Sequence, residues 1–395
     1  MSTITKTRIA GGERVKNHFE EIAGFYGFKK IPAPVVQKTD AAKARKICGE
    51  DFKQPKGEAR LTPTEITALF EYYDTHIYTR ERAPAMVFYS AKAEDKTRGN
   101  HERMALHFMG CEKSVSEAII IKTACEILRE NNNQNLFVDI SSIGDRENFS
   151  RFIKEFISYY KKKLDGLSSL CRQNLKHDPL ALCRCVANKC REIHEKAPDP
   201  VSFLSENSRR HLTEVLEFLE SDNIPYRLNS SPLSDKCLST STVFEIRSID
   251  EIDEEPGKIL AAGCRYNGFA KKLGFRKDVP SVGIALLYDR CKSERKLKSK
   301  DPMVYFIQLG FEAKLKSLKI LETLRKAKIS VCQSLSRDKL SVQLSAAENQ
   351  RIPYALILGQ KEAMEESVIL RNMMNHSQET IKINILPDCL KKLKV

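Results

Sequence analysis

The sequence predicts an α+β protein of two units: a large mixed domain that carries a helical insertion, and a smaller C-terminal α/β unit. Three observations lead to this prediction. The chain has 395 residues, which is too long for one small domain. A basic stretch, CKSERKLKSKD at 291–301, lacks apolar periodicity, is followed by Pro302 and has the composition of a linker. Strand and helix patterns then alternate to the end of the chain.

The large domain, predicted over 1–290, mixes both kinds of element. Its predicted elements are, in order, an amphipathic helix at Val15–Tyr26, an extended Pro-marked segment at Lys30–Val36, a helix at Ser114–Glu130, a strand at Leu136–Ser142, and strands at Ser241–Arg247, Ile259–Ala262 and Val282–Ala285. Between them the pattern is helical from Arg146 to Asn223 and is interrupted by prolines. We therefore expect a helical insertion over about 146–223 within one α+β domain.

The C-terminal unit, predicted over 303–395 after a linker at 291–302, alternates regularly. Its predicted elements are strands at Met303–Leu309, Ile329–Cys332 and Tyr354–Leu358, with helices at Ala313–Lys326 and Leu340–Glu348 between them. This alternation is typical of a small α/β unit with a largely parallel sheet.

The charge balance is basic. Sixty-six Lys and Arg against fifty-two Asp and Glu leave a formal charge of +14, with a pI near 9.1. An excess of this size favours polyanions, because lysine and arginine release condensed counterions when they contact phosphates. A surface tuned for solubility is the alternative that charge alone leaves open.

Several classes of protein are excluded or disfavoured. The sequence has neither G-x4-G-K-[ST] nor G-x-G-x-x-G, which removes the P-loop and Rossmann interpretations. No run of about 18 apolar residues is present, so a transmembrane helix is not expected. The basic N-terminus lacks the apolar stretch of a signal peptide, and we expect a cytoplasmic protein.

A group of cysteines in the helical region raises the question of zinc. Cys183, Cys185 and Cys190 have the spacing C-x-C-x4-C, which is not a paired C-x2-C knuckle, and Pro-Leu-Ala-Leu precedes them. We therefore predict structural thiols and no metal. A zinc site that also uses Cys171, His177 or His194 is the alternative.

A glycine-bearing stretch follows at 261–290. It contains AAGCRYNG at 261–268 and PSVGIA at 280–285, whose glycines would allow the backbone to approach a ligand closely. Arg265 and Arg290 bracket these turns as candidate phosphate contacts.

The same residues resemble the end of the catalytic domain of histidyl-tRNA synthetases. That family carries AGGRYDGL and then P-x-V-G-F-A-x-G-x-E-R, where this chain has AGCRYNG and PSVGIALLYDR. Further segments match in the family's order: Tyr26 to Pro34 (motif 1), VDISSIGD at 138–145, NIPYRLN at 223–229, TVFEI at 242–246, SRDKLSVQLSAA at 336–347 and YALILG at 354–359. The resemblance implies a class II aminoacyl-tRNA synthetase core with an antiparallel sheet and flanking helices, an anticodon-binding-like α/β domain, and a homodimer formed through motif 1.

The resemblance also implies a histidine site. Glu65 and Thr67 match the residues that hold the α-amino group in the family, and Glu112 matches the carboxylate that reads the imidazole. Tyr266 matches a tyrosine of the same pocket, and Arg290 matches the motif 3 arginine that grips ATP during catalysis.

Other positions depart from the family. Motif 2, F-R-x-E, becomes Ala91-Lys92-Ala93-Glu94, so Lys92 replaces the catalytic arginine and, with Glu94 and Arg290, makes up the expected ATP site. Lysine keeps the charge but not the bidentate fork. The glutamine of F-H-Q becomes Phe108. The histidine-specific motif R-G-L-D-Y-Y falls on SDKCLS at 234–239 without its arginine, a kind of loss that typically costs roughly 3–4 kcal/mol of transition-state stabilisation.

The sequence therefore predicts a degenerate, tRNA-binding paralogue with weak or absent aminoacylation, in which Arg337 and Lys339 contact tRNA. One alternative is an active histidine–tRNA ligase that uses ATP with Mg²⁺, in which Lys236 stands in for the missing arginine. The other is a regulatory subunit like that of ATP phosphoribosyltransferase, although such family members generally lack the C-terminal domain. We expect neither DNA nor a membrane as a partner.

Overall fold

The structure is a computed structural model that describes residues 17–49, 59–78, 84–92, 101–185, 187–229, 238–248, 257–289 and 302–393. The predicted linker at 291–301 lies outside these residues. The described chain forms two sheets, one of eight strands and one of five.

The eight-stranded sheet belongs to the large domain. Its strands are β1 Lys29–Lys30, β2 Ala85–Lys92, β3 His101–Met109, β4 Leu136–Ser142, β5 Tyr226–Leu228, β6 Thr242–Ser248, β7 Ile259–Arg265 and β8 Ser281–Asp289. They lie in the order β1-β2-β3-β8-β7-β6-β4-β5. The two outermost pairs are parallel and every other pair is antiparallel, so the sheet is antiparallel through its centre.

Nine helices accompany this sheet in the described part of the domain: α1 His18–Phe25, α2 Lys38–Cys48, α3 Pro63–Tyr72, α4 Val115–Glu130, α5 Arg146–Lys161, α6 Ser169–His177, α7 Arg191–Glu195, α8 Glu206–Ser221 and α9 Phe269–Lys272. α1, α4 and α8 pack on one face of the sheet and share one hydrophobic core with it. α3, α5 and α6 cover the other face in a second core. The sheet is thus buried on both sides.

The helical insertion was predicted from its pattern and is present. Phe152, Phe156 and Tyr160 recur every four residues along α5, so they form one buried stripe. Asp145 caps the helix by accepting hydrogen bonds from the amides of Glu147 and Asn148. Between α5 and α8 the insertion is built from short pieces, with 3₁₀ turns at Leu164–Gly166, Pro179–Arg184, Asn188–Cys190 and Pro200–Phe203.

The C-terminal unit contains strands β9 Val304–Gln308, β10 Val331–Gln333, β11 Tyr354–Leu358, β12 Ser367–Asn372 and β13 Gln378–Lys382, and helices α10 Phe311–Lys326, α11 Leu340–Asn349, α12 Gln360–Met364 and α13 Leu386–Lys392. The strand order is β10-β9-β11-β12-β13. The predicted parallel arrangement holds for β10, β9 and β11, whereas β12 and β13 are an antiparallel addition.

The two units share a buried ion-pair junction. Lys122 of α4 has a fully buried side chain, and its ammonium lies 2.9 Å from a carboxylate oxygen of Asp222 and 3.3 Å from Glu126. It also pairs with Glu322 of α10. Burial raises the pKa of Asp222 to about 6, although the charge of Lys122 opposes that rise.

None of the described helices is both long enough and apolar enough to cross a membrane.

Candidate active-site pocket

The pocket lies on the sheet face that α3 and the insertion cover. Side chains alternate across a strand, and the pairing of β2 with β3 places Tyr89, Arg103 and His107 on this face. Glu65 of α3 and Tyr266, just after β7, face the same space. The antiparallel centre of the sheet therefore carries the polar groups on this face, while α1, α4 and α8 pack on the opposite face.

Glu65 is held by groups of the protein itself. Arg103 donates two hydrogen bonds to its carboxylate, Nη1 to Oε1 at 2.5 Å and Nη2 to Oε2 at 2.7 Å, and the Tyr89 hydroxyl donates to Oε1. Burial alone would raise the pKa of Glu65, but the charge and hydrogen bonds of Arg103 and the hydrogen bond of Tyr89 hold it below its usual value. An α-amino group could reach this carboxylate only by displacing a bidentate guanidinium.

Thr67 and Tyr266 are also engaged by neighbouring groups. The Thr67 hydroxyl is buried and donates to the carbonyl of Pro63 at 2.8 Å, one turn earlier in α3. The Tyr266 hydroxyl lies 2.9 Å from Nδ1 of His107. Glu65, Thr67 and Tyr266 are therefore in one region, as the sequence predicted, but their polar atoms already have partners.

His107 occupies the pocket where the sequence comparison pointed to Phe108. Its imidazole is fully buried and stacks on the Tyr89 ring, with the ring centroids 5.6 Å apart. Burial lowers its pKa to about 3, against the pull of Glu65, so the ring is neutral at physiological pH. Phe108 belongs instead to the core on the opposite face. Neighbouring residues of a strand point to opposite faces, so only one of His107 and Phe108 can face the pocket.

The glycines of β7 and β8 bring the backbone close to side chains of the protein, not to a ligand. A Cβ on Gly283 would lie 2.5 Å from Nδ1 of His107, and one on Gly263 would lie 2.6 Å from the Phe244 ring. Arg265 is not a phosphate contact either, because it is buried on the opposite face and donates to Glu117, Nε to Oε1 at 2.6 Å. The predicted phosphate contact is thus corrected for Arg265, whereas Arg290 lies outside the described residues.

Glu245 of β6 is the centre of a second charged group on the pocket face. Its buried carboxylate accepts hydrogen bonds from three guanidinium groups: Arg60 at 2.7 Å, Arg247 at 2.7 Å, and Arg184 of the insertion. Burial alone would raise the pKa of Glu245, but Arg184, Arg60 and Arg247 together lower it.

The chain of charges continues to β4. Asp139 is fully buried, and its carboxylate lies 3.0 Å from Nε of Arg247. Arg227 donates to the same carboxylate at 2.5 Å and 3.1 Å. Sequence reasoning missed this group. The signal was the run of charged residues at alternate strand positions, 245 and 247, which points them to one face.

Lys92 is not brought to the pocket. It is exposed at the end of β2 and pairs in register with Glu102, whose carboxylate accepts a hydrogen bond from Tyr288 at 2.7 Å. Tyr288 packs in the core of α1 and α4, so this pair belongs to the opposite face from Tyr89. The alternation of β2 therefore excludes the predicted role of Lys92 beside Glu65.

The remaining predicted residues are dispersed. Glu112 is exposed in the turn after β3, not buried beside Tyr266. In the C-terminal unit, Arg337 is half-buried and Lys339 is exposed just before α11. Glu94, Lys236 and Arg290 lie outside the described residues, as does 234–237 of the histidine-specific motif.

The described pocket residues do not fit ATP with Mg²⁺. A nucleotide needs cationic groups directed at its phosphates and carboxylates directed at the metal ion. On this face Arg103 is paired with Glu65, and Arg60, Arg184 and Arg247 are paired with Glu245. Each of these guanidinium groups is thus already engaged by a carboxylate of the protein.

A separate cleft of about 2110 Å³ lies between the large domain and the C-terminal unit. Its lining includes α1, β1 and the start of β2 on one side, and the region from α10 to α11 on the other. Six cationic side chains line it: Lys29, Lys30, Arg325, Lys326, Lys328 and Arg337. Glu21 and Glu130 are the acidic residues among its lining, so its walls carry an excess of positive charge.

Comparison with known proteins gives matches over nearly the whole chain. Residues 303–393 match the family described as anticodon binding domain. The histidine–tRNA ligase of Listeria monocytogenes serotype 4b is 24% identical over 389 residues, covering 93% of this chain and 91% of the relative. That of Caldicellulosiruptor saccharolyticus is 26% identical and covers 95% and 94%. Among solved structures, apo S. aureus histidyl-tRNA synthetase aligns with a TM-score of 0.49 at 19% identity, covering 94% of this chain and 93% of that one.

Proposed function

The chain belongs to the histidyl-tRNA synthetase family, and from this membership we propose that it is a tRNA-binding paralogue whose aminoacylation is weak or absent. The observation that carries the proposal is the pairing of the pocket guanidinium groups with carboxylates of the protein itself. Amino-acid activation needs guanidinium groups free to stabilise charge that develops on phosphate. On the described pocket face, the guanidinium groups are hydrogen-bonded to Glu65, Glu245 and Asp139.

The second support is the position of each retained residue. Glu65 is the family's amino-group ligand by resemblance, yet Arg103 occupies both of its oxygens. His107 fills the space above Gly283 with a neutral ring that already contacts Tyr266. A histidine ligand would have to break at least two buried hydrogen bonds, and each unsatisfied buried group costs about 1–3 kcal/mol.

RNA is the partner that the rest of the molecule favours. The C-terminal unit matches an anticodon-binding domain, and the chain carries a net charge of +14. Arg337 lines the basic cleft, and Lys339 stands exposed two residues later. Exposed cations at this site can release counterions from an RNA backbone. The arginines of the pocket are instead held by carboxylates of the protein. We place this activity in the cytoplasm, where tRNA is used.

We propose that the protein acts as a homodimer. The extended segment after β1 leaves Val35 80% exposed and Val36 51% exposed, and these two residues directly follow the motif 1 resemblance, which ends at Pro34. Adjacent exposed aliphatic side chains favour a protein partner, because their burial is stabilising. Light scattering of the full chain should give twice the 45.0 kDa monomer mass, and a monomer at micromolar concentration would contradict the dimer.

One observation favours the alternative of an active ligase: Glu65, Thr67 and Tyr266 still lie within one region. The deciding experiment is histidine-dependent ATP–pyrophosphate exchange, with the Listeria monocytogenes enzyme as positive control. We expect exchange at least about 10²-fold below the control, since a single lost transition-state donor already removes that much. Exchange within about tenfold of the control would overturn the proposal and restore the ligase.

Binding of tRNA is measured on the same preparation. We expect affinity to fall steeply as salt rises, with a log–log slope that counts the phosphate contacts. A DNA duplex of equal charge serves as the matched polyanion and should bind more weakly. Absence of tRNA binding at low salt would contradict the RNA-binding function and leave the regulatory-subunit alternative.

A further inference from the structure

The helical insertion contains a cluster of four metal-ligating side chains that the pocket does not use. Cys171, Cys185, Cys190 and His194 each offer one ligand atom, and these atoms all lie within 4.8 Å of one another. The Sγ atoms of Cys171 and Cys185 are 3.1 Å apart, and those of Cys190 and Cys171 are 3.8 Å apart. Ligands of a tetrahedral zinc ion at about 2.3 Å stand roughly 3.8 Å apart, so the cluster has the size of such a site.

The imidazole of His194 is oriented as a metal ligand would be. Its Nδ1 lies 2.7 Å from the hydroxyl of the buried Tyr160, while its buried Nε2 has no hydrogen-bond partner among the described residues. Metal-binding histidines commonly use one ring nitrogen for the ion and hold the other by a hydrogen bond. A buried ring nitrogen without a partner is otherwise unfavourable.

The four ligands come from separate short elements of the insertion. The amide of Ser168 donates a hydrogen bond to Sγ of Cys190 at 3.2 Å, which fixes the position of that sulfur atom. Cys171 contributes from α6, Cys185 follows a 3₁₀ turn, Cys190 ends another, and His194 belongs to α7.

We propose that Cys171, Cys185, Cys190 and His194 bind one structural zinc ion in a closed Cys₃His site. The prediction of no metal rested on the C-x-C-x4-C spacing of Cys183, Cys185 and Cys190, of which only two belong to the cluster. Cys171 and His194, which the zinc alternative named, complete the set. The site joins pieces that are too short to be stable alone, including the five-residue α7. It is independent of whether the chain aminoacylates tRNA.

The cluster also fixes a pocket residue. Arg184, which donates to Glu245, immediately precedes Cys185, so the metal would anchor the segment that reaches across to the sheet. The same segment offers trypsin the peptide bonds after Arg184, Lys189 and Arg191. Chelation should therefore expose 184–191 to trypsin, and added zinc should restore protection.

The test uses the full chain purified under reducing conditions. Elemental analysis should find about one zinc per chain, and cobalt exchanged into the protein should give the absorption of a tetrahedral cobalt–thiolate centre. Cys190→Ser should lower zinc content at least about tenfold. Cys183→Ser is the matched control, because Cys183 lies in the same segment but outside the cluster, and it should keep the metal.

Two outcomes would overturn the site. The first is a reduced wild-type chain that contains no zinc, takes up no cobalt and resists trypsin equally with and without chelator. The second is a Cys171–Cys185 disulfide in place of the metal, seen as a mass loss of two hydrogens. Because the cobalt spectrum is read on the wild-type chain, the test stands even where Cys190→Ser fails to fold.

Discussion

The pocket face of the large sheet and the surface of the C-terminal unit treat their charged residues in opposite ways. On the pocket face, Glu65 and Glu245 are buried or nearly so and accept hydrogen bonds from several guanidinium groups. In the C-terminal unit, Lys339 and Lys382 are exposed, and Arg337 lines an open cleft. The charged residues of the pocket face form ion pairs within the protein, whereas these basic residues of the C-terminal unit are accessible to solvent.

This difference shows that a residue can match a family's residue in type and position without being available to a ligand. A residue such as Glu65 can keep its type and its place while its atoms take a new partner, so identity at a position does not establish function. Exposed basic residues keep their capacity to bind phosphate as long as nothing in the fold neutralises them. We therefore expect the proposed RNA binding to depend on the exposed basic residues, and the pocket charges to contribute to stability. Four changes test that comparison.

The largest effect is expected from Glu245→Gln. The carboxylate compensates Arg60, Arg184 and Arg247 in a buried site, so its removal leaves guanidinium charge without a partner. Breaking a buried ion pair in this way destabilises by about 3–5 kcal/mol. We expect that loss in chemical denaturation, with unchanged tRNA affinity in the folded variant.

Glu379→Gln is the matched control, since Glu379 is exposed on β13 and should change stability by less than about 0.5 kcal/mol. If Glu245→Gln were as mild as this control, the pocket charges would not be structural and the comparison would fail.

The next effect concerns the junction between the two units. The pKa of Asp222 is about 6 in the folded chain and lower when unfolded, so the folded state holds an extra proton between those values. Asp222 therefore contributes stability below that window, and the contribution is lost as pH rises through 6. It amounts to at most about 3 kcal/mol. Asp222→Asn should be more stable than wild type at pH 8 and similar at pH 4, measured by thermal unfolding.

Wild type must be compared with Asp222→Asn at each pH, because other carboxylates have lowered pKa values in the folded chain. Their contributions to stability are lost as pH falls, not as it rises. Glu322, for example, has its pKa lowered to about 2: burial would raise it, but hydrogen bonds from Lys122 and Lys326 outweigh that effect. A difference between the two proteins that does not change with pH would contradict the junction assignment.

The double variant Arg337→Ala/Lys339→Ala should weaken tRNA binding by roughly tenfold, and the salt slope should fall by about one for each lost phosphate contact. Stability should hardly change, because neither side chain is buried. Lys382→Ala is the control, as Lys382 is exposed on β13, the opposite edge of the five-stranded sheet from β10. If Lys382→Ala weakened tRNA binding as much as the double variant does, the net charge of the protein, and not the position of these residues, would govern binding.

The smallest effect is expected from Tyr266→Phe. It removes the hydroxyl 2.9 Å from His107 and should destabilise the chain by about 1 kcal/mol. Calorimetric titration with histidine should show no binding to wild type or variant. Histidine binding that the variant abolishes would show that the pocket still accepts its family's amino acid.

Many elements of the fold could be predicted, but α3, β2 and β3, which carry the pocket, were not among them. β4 and β11 have the predicted boundaries, and α4 and α10 begin within two residues of theirs, because their apolar spacing is regular. α2 was missed, since it is mostly polar and packs on α3 by a narrow stripe that buries Asp40 and Ala44. The β12–β13 hairpin was missed because its outer strand alternates only weakly, with one buried residue, Ile381.

The sequence predicted which residues lie in the region of the site, but it did not predict which side chains contact one another there. Resemblance located Glu65, Thr67 and Tyr266, yet nothing in the linear sequence shows that Arg103 binds Glu65 or that Arg184 crosses from the insertion. Such pairs depend on strand register, and a shift of one residue moves every side chain to the other face. That is why Lys92 was assigned to a site that β2 directs it away from.

The pairing of Glu245 with three arginines also bears on the evolutionary history of the chain. A mutation that frees one of those arginines for a nucleotide leaves a buried charge uncompensated and lowers stability before it confers any new activity. Change at this site therefore requires two or more substitutions together, because each single intermediate is less stable. The network constrains the drift of the sequence: selection for folding alone is enough to keep Glu245 and its three arginines together.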